Sequence, residues 1–229
     1  MGKKTKAEAE KTREALLDAA ERVFCSRGVS RTALAEVAEA ACMTRGAIYW
    51  HFKNKKDVFH ALHERATHPL YERFDPQAIE TAEDPIAHLR DSVVFCLGDL
   101  AGNDRSRRML EILLYKCEYV EEMSEVLDEL EKGKAWFTER VTWMIEKART
   151  QGQVDPDLCP HLATISLHSY ITGLMREWLR KPDSFDLGAE APALIARFLR
   201  GWGYQAEESG AEESGAEERA VPSVAEPVG

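Results

Sequence analysis

The sequence predicts an all-α protein of about nine helices, and three observations predict it. Apolar residues recur at helical spacing in one segment after another as far as residue 203. The joints between these segments carry Asp-Pro, Gly-Asn-Asp and Gln-Gly, which are turn signals. No alternation of apolar and polar residues is long enough to make a strand.

The elements follow in order. "EAEKTREALLDAAERVFCSRG" sets Leu16, Leu17, Ala20, Val23 and Phe24 at helical spacing and stops at Gly28. In "VSRTALAEVAEAAC", Thr32 is the expected N-cap, with Glu36 and Val37 following. "MTRGAIYWHF" gives a short helix capped by Thr44, and "KNKKDVFHALHERATH" one capped by Asn54 that ends before Pro69. Five longer amphipathic segments complete the set, beginning at "EDPIAHLR", "DRSRRMLE", "EEMSEVLD", "DLCPHLAT" and "LGAEAPAL". Residues 1–53 are expected to form one domain and residues 54–203 a second. Residues 204–229 repeat the unit AEESG and hold almost no large apolar side chain, so a disordered acidic tail is expected there.

Composition narrows the function. The 229 residues suffice for a real core. No run of about 18 apolar residues is present, and the N-terminal stretch lacks a signal-peptide apolar core. A cytoplasmic protein is expected. Cys25, Cys42, Cys96, Cys117 and Cys159 are odd in number and lack CxxC spacing, so they read as reduced thiols. The net charge is −10, yet residues 1–68 carry 13 Lys and Arg against 9 Asp and Glu, while the remainder is strongly acidic. A basic head on an acidic body is a local footprint for a phosphate backbone.

Within that head, "TRGAIYWHFKNKKDVF" crowds Tyr49, Trp50, His51 and Phe52 among Arg45, Lys53, Lys55 and Lys56. Two short helices with a tight turn between them, "TALAEVAEAA-CM-TRGAIYWHF", have helix-turn-helix proportions. The second helix of such a pair lies in the major groove with its N-terminal residues toward base edges. Arg45 and Tyr49 stand one turn apart on one face, and Ile48 and Phe52 on another, directed to Leu34, Val37 and Phe24. Spacing alone leaves a second reading open, a core cluster beside a solvated charge run.

Residues 10–56 closely resemble the DNA-binding domain of TetR-family transcriptional repressors, and "TRGAIYWHFKNK" resembles in particular the AcrR-like subgroup that controls multidrug efflux pumps. "EILLYKCEYVEEM" and "YITGLMREWLRKPDSFDLG" extend the likeness over about residues 5–200. The resemblance implies a homodimer on a double-stranded, pseudo-palindromic operator, released when a small molecule enters the C-terminal domain. It places DNA contacts on Thr32, Thr44, Arg45, Gly46, Tyr49, Trp50, His51 and Lys55. Two departures stand out: Cys42 replaces the usual turn glycine, and Ala33 the usual Ser or Thr.

The same resemblance places the ligand pocket on Ser92, Val93, Cys96, Leu110, Leu113, Leu114, Trp136, Phe137, His168, Ile171, Thr172, Met175 and Arg176. His168, Thr172 and Arg176 follow one another by single turns, a polar column that would direct anionic groups of a hydrophobic or amphipathic inducer to Arg176. Plain core packing remains the alternative for the apolar members. Leu174, Trp178, Leu179, Leu194, Ile195, Phe198, Leu199 and Trp202 offer more apolar surface than one helical pair can hide, so a dimer through the last two helices is expected.

Other classes fit less well. His63 and His68 are five apart and cannot chelate as H-E-x-x-H does, and no phosphate loop or nucleophile motif occurs. Neither an enzyme, a metal site nor a cofactor is expected, and no membrane partner. A regulator switched by cysteine oxidation is the alternative function, with Cys42 in the reading turn.

Overall fold

The computed structural model describes residues 6–117 and 124–205; the acidic tail beyond them, and the EYVEEM part of the stretch above, lie outside. Ten α-helices and no strand occur among the described residues. The helix beyond the expected nine is α5 (Pro76–Thr81), only six residues long and therefore without readable periodicity. Its signal was Asp75-Pro76: the Asp75 carboxylate accepts the Gln77 N–H at 2.9 Å and proline occupies the first helical position.

The head begins with α1 (Lys6–Arg27), which buries Leu16, Leu17, Ala20 and Phe24 and ends at Gly28, φ +87°. Next come α2 (Leu34–Ala40) and α3 (Arg45–His51). The α2 N-cap is Ala33, not Thr32. Glu36 compensates by accepting the Ala33 N–H at 2.8 Å. Thr32 is buried and its hydroxyl donates to the Gly28 carbonyl at 2.7 Å, bracing the loop instead.

The α2–α3 turn is a Schellman motif. Met43 N–H donates to Ala38 O at 2.8 Å and Cys42 N–H to Glu39 O at 2.9 Å, with Cys42 at φ +55°. The side chains of Thr44 and Asn54 cap α3 and α4 (Lys55–Arg73) as the sequence indicates. α4 does not end before Pro69 but runs on to Arg73. Proline there forfeits one helical hydrogen bond. The last turn is held by Tyr71 and Phe74 packing edge-on to Trp136, with ring centroids 4.7 and 6.2 Å away.

Two cores result. The head core joins Leu16, Phe24, Val37, Ile48 and Phe52 to Phe59 and Leu62 of α4, and also takes in Met109, Ile112 and Val126. The first half of α4 packs with the head through Val58, Phe59, Ala61 and Leu62. The body core lies among α6 (Pro85–Gly102), α8 (Ser124–Thr150), α9 (Pro160–Arg180) and α10 (Leu187–Arg200). Each fully buried Leu or Ile there contributes about 1.5–3 kcal/mol relative to exposure. Two polar ties fix the periphery. The Lys147 ammonium donates to the carbonyls of Ile79, Glu80 and Ala82 at the end of α5, and the Tyr204 hydroxyl donates to Asp84 at 2.7 Å.

Between the cores runs α7 (Asp104–Glu111), continued by a single π-helical turn, Ile112–Lys116. The final carbonyl of that turn accepts the Val29 N–H of the head at 2.9 Å. The apolar surplus expected on the last two helices is largely absorbed within the chain. Trp178, Ile195, Leu199 and Trp202 are buried in the body core, and Leu174, Leu179 and Phe198 pack partly against it. The aliphatic side chains that α9 leaves outward are Leu162 and Ile165.

Candidate functional site

α3 presents two faces of opposite character. Ile48 is fully buried and Phe52, its C-cap, nearly so. Arg45, Tyr49 and Trp50 stand exposed, Trp50 at 72%. The Trp50 ring meets His51 edge-on at 4.5 Å. Thr44 accepts the Ala47 N–H at 3.3 Å and remains exposed at the helix N-terminus, where the first backbone N–H groups and the positive end of the helix dipole lie. A Cβ added to Gly46 would meet only the Thr44 hydroxyl, at 3.9 Å, so the fold itself does not require glycine there. Lys55 differs from these: its ammonium donates to the Ser30 carbonyl at 2.9 Å and ties the head's first loop to α4. With Thr32 buried, the outward members of the predicted DNA set are Thr44, Arg45, Gly46, Tyr49 and Trp50, with His51 half-buried beside them.

In the body, a cavity of about 300 Å³ opens between α4, α6, α8 and α9. Val93, Cys96, Trp136, Phe137, His168, Ile171, Thr172 and Met175, all predicted, line it. An aromatic wall runs along one side: Tyr71 on Trp136 at 4.7 Å, Phe74 on Phe137 at 5.4 Å, Phe137 on His168 at 6.0 Å. Burial holds the His168 imidazole below its ordinary pKa, and the nearby Lys134 ammonium pushes the same way.

The other predicted pocket residues fall elsewhere. Ser92 is fully buried on α6 and outside the lining, with no hydrogen-bond partner for its hydroxyl among the described residues. Leu110 packs on the body core and Leu113 on the head core. Leu114 sits half-buried in the π turn, which inserts an extra residue and changes the phase of every side chain after it. Arg176 is exposed and outside the lining. A step of four residues overshoots a helical turn, so two steps from His168 carry Arg176 about 80° round the helix.

The resemblance had supplied no α4 residue to the pocket, yet His63, Thr67 and Tyr71 line it from one face of that helix. Leu130, Gly133 and Lys134 complete the α8 wall. The legible signal for the latter was the 130, 133, 134, 137 spacing, with a glycine inside a long helix.

All five cysteines are free thiols. Burial pushes Cys25 up to about 11 and Cys96 up to about 12, away from the thiolate a redox sensor requires. Among the described residues no group of three His, Cys, Asp or Glu is placed to hold a metal ion. No helix among them is long and apolar enough to cross a membrane.

A helix-turn-helix head with an exposed polar and aromatic reading face, joined through one long helix to a cavity-bearing helical body, defines a DNA-binding regulator with a sensor domain. The comparisons agree. Residues 16–62 match the model of bacterial regulatory proteins of the tetR family, and residues 84–204 that of the C-terminal region of MAATS-type transcriptional repressors. The chain is 37% identical over 199 residues to the HTH-type transcriptional regulator AcrR of Shigella flexneri, covering 87% of this chain and 93% of that protein. In structure it is similar to NalD, the secondary repressor of the MexAB-OprM multidrug efflux pump in Pseudomonas aeruginosa, with 34% identity, a TM-score of 0.75, and coverage of 86% and 98%. It is also similar to SmeT in complex with triclosan, from Stenotrophomonas maltophilia, with 27% identity, a TM-score of 0.76, and coverage of 93% and 100%. The chain therefore belongs to the TetR family of transcriptional repressors.

Proposed function

We propose that this repressor holds the operator of a multidrug efflux operon and is released when a hydrophobic or amphipathic small molecule occupies the body cavity. The observation that carries the reading is the placement of α4. His63, Thr67 and Tyr71 face the cavity, Val58, Phe59 and Leu62 sit in the head core, and Arg65 pairs with three carboxylates of α1. A ligand that displaces the cavity face of α4 therefore displaces the head, and only one of two head positions matches the operator. Arg45 and Tyr49 read bases from the major groove, while Thr44 and Trp50 contact phosphate or sugar. The dimer forms through the last two helices, and on α9 Leu162 and Ile165 are exposed for it.

The test is fluorescence anisotropy on DNA flanking the protein's own gene, with scrambled competitor and a panel of efflux substrates. Binding that survives competitor and is lost with a substrate supports the reading. Binding that no cavity-sized aromatic compound disturbs refutes it. Arg45→Ala is expected to cost about 1–3 kcal/mol of operator binding and to relax sequence preference at one position per half-site.

A further inference from the structure

We infer that the cavity is selective by charge, taking aromatic compounds that carry an anionic or weakly acidic group and rejecting aromatic cations. This deepens the reading of the cavity as the effector site and rests on it. Three basic side chains line the chamber, His63 from α4, Lys134 from α8 and His168 from α9, and no carboxylate is found among the described residues that line it. Lys134 and His168 line the chamber together, and the Lys134 ammonium gives it a positive charge beside an imidazole that can donate a hydrogen bond.

The rest of the lining is apolar or aromatic, and this decides what happens to a charged guest. An ion entering such a chamber loses hydration and must recover it from fixed partners. An anion finds the Lys134 ammonium and the imidazole of His168, and charge-assisted hydrogen bonds of that kind are about twice as strong as neutral ones. Among the described residues Lys134 pairs with Glu131, a one-turn contact at 3.9 Å with both side chains more than half exposed. Such a pair contributes little and yields readily.

A cation meets the opposite situation. It has no lining carboxylate to approach among the described residues, and the indole, the strongest stacking partner in the wall, is already engaged. Trp136 lies edge-on to Tyr71 and Phe74, and the Arg140 guanidinium stands 5.8 Å from its centroid. A second cation on that ring would be repelled by Arg140 as well as by Lys134. The column expected from sequence directed anions to Arg176; the cavity lining instead offers Lys134 of α8 and His168 for that role.

The experiment is calorimetric titration of the full chain with three probes sharing one ring system: 1-naphthaleneacetate, its neutral amide, and 2-(1-naphthyl)ethylammonium. The expected order is acid tightest, amide next, and amine weaker than the acid by about tenfold or more. In Lys134→Gln and in His168→Gln the acid-to-amide affinity ratio should fall toward one, with folding of each variant checked by its thermal melt. An amide that binds while the amine equals or exceeds the acid overturns the charge selectivity and leaves the effector site standing. A preference for acid that survives both substitutions also overturns it, since the anion is then held elsewhere. If none of the three probes binds, the effector-site reading falls and this inference with it.

Discussion

Glu21 of α1 and Arg65 of α4 form an ion pair at the junction of head and body, with the carboxylate 2% exposed. Arg65 also reaches Glu14 and Asp18, each at 2.9 Å, while the second oxygen of Glu21 accepts from Arg108 Nε of α7 at 3.1 Å. Burial works against the charge on Arg65, but the carboxylates of Glu14 and Glu21 outweigh it and raise its pKa. Three helices are thus fastened at one buried oxygen pair. Thr67, two residues beyond Arg65, belongs to the cavity wall.

Removing one partner of a buried pair leaves the others uncompensated, at a cost of about 3–5 kcal/mol. Glu21→Gln keeps the shape and removes the charge, stranding parts of Arg65 and Arg108. We expect it to lower unfolding free energy by about 3 kcal/mol in urea titration. It should also weaken the effect of ligand on DNA binding, because α4 then shifts without carrying α1. A loss under about 0.5 kcal/mol would mean that these arginines are satisfied by solvent and that the pair does not fasten the junction.

Cys42 occupies a left-handed position, φ +55°, at the end of α2. A non-glycine residue pays about 1–2 kcal/mol for that conformation. Its neighbours hold it there through the two Schellman hydrogen bonds. Cys42→Gly should therefore raise stability by about 1 kcal/mol, read as a higher urea midpoint with unchanged slope. A β-branched replacement, Cys42→Val, should lower it. No gain from glycine would place the strain elsewhere in the turn.

These turns and caps also show what the sequence could and could not reveal. Nine of the ten described helices, the Thr44 and Asn54 caps and the inward face of α3 are local matters of spacing and side-chain type, and these were legible. The strain at Cys42 was legible through the resemblance, whose pattern carries glycine at that turn. Pocket membership was not, in two places. The π turn at Ile112–Lys116 shifts the register of Leu113 and Leu114, and no residue type encodes such a turn. Likewise Pro69 reads as a helix terminator, so the continuation of α4 through Tyr71 to the cavity was hidden. It persists because tertiary packing on Trp136 outweighs one lost hydrogen bond. Composition likewise could not apportion the apolar residues of the last helices between interior and interface, and the body core takes Trp178 and Trp202.

Ala33 caps α2 without a side-chain acceptor for the first helical N–H groups, and Glu36 answers the Ala33 N–H alone. Ser at an N-cap is worth about 1 kcal/mol over Ala. Ala33→Ser is expected to stabilise the head by about that amount. It also sets a hydroxyl at the N-terminus of α2, beside the reading helix, where it can donate to a phosphate. Operator affinity should therefore rise modestly, with similar gains on specific and scrambled DNA, because a phosphate contact carries no sequence information. Anisotropy on both DNAs checks this, and a gain confined to the operator would count against a phosphate contact.

His168 gives the pH dependence. Its pKa lies below the ordinary 6.5, through burial first and the Lys134 ammonium second. The unfolded chain then binds a proton on this imidazole at a pH where the folded chain does not, so stability rises with pH between the folded and unfolded values. The sign is fixed: stability is fully present above about 6.5 and is lost as pH falls through that value toward the folded pKa. Denaturation midpoints measured from pH 7.5 downward should decline for the parent protein. In His168→Asn, which cannot titrate, the decline over the same interval should be shallower. A saturating aromatic carboxylate should reverse the sign at this residue, since an anion beside the imidazole favours the charged form. The ligand-bound protein would then lose less stability on mild acidification than the free one. Identical slopes for parent and variant, with and without the carboxylate, would remove His168 from both the titration and the ligand contact.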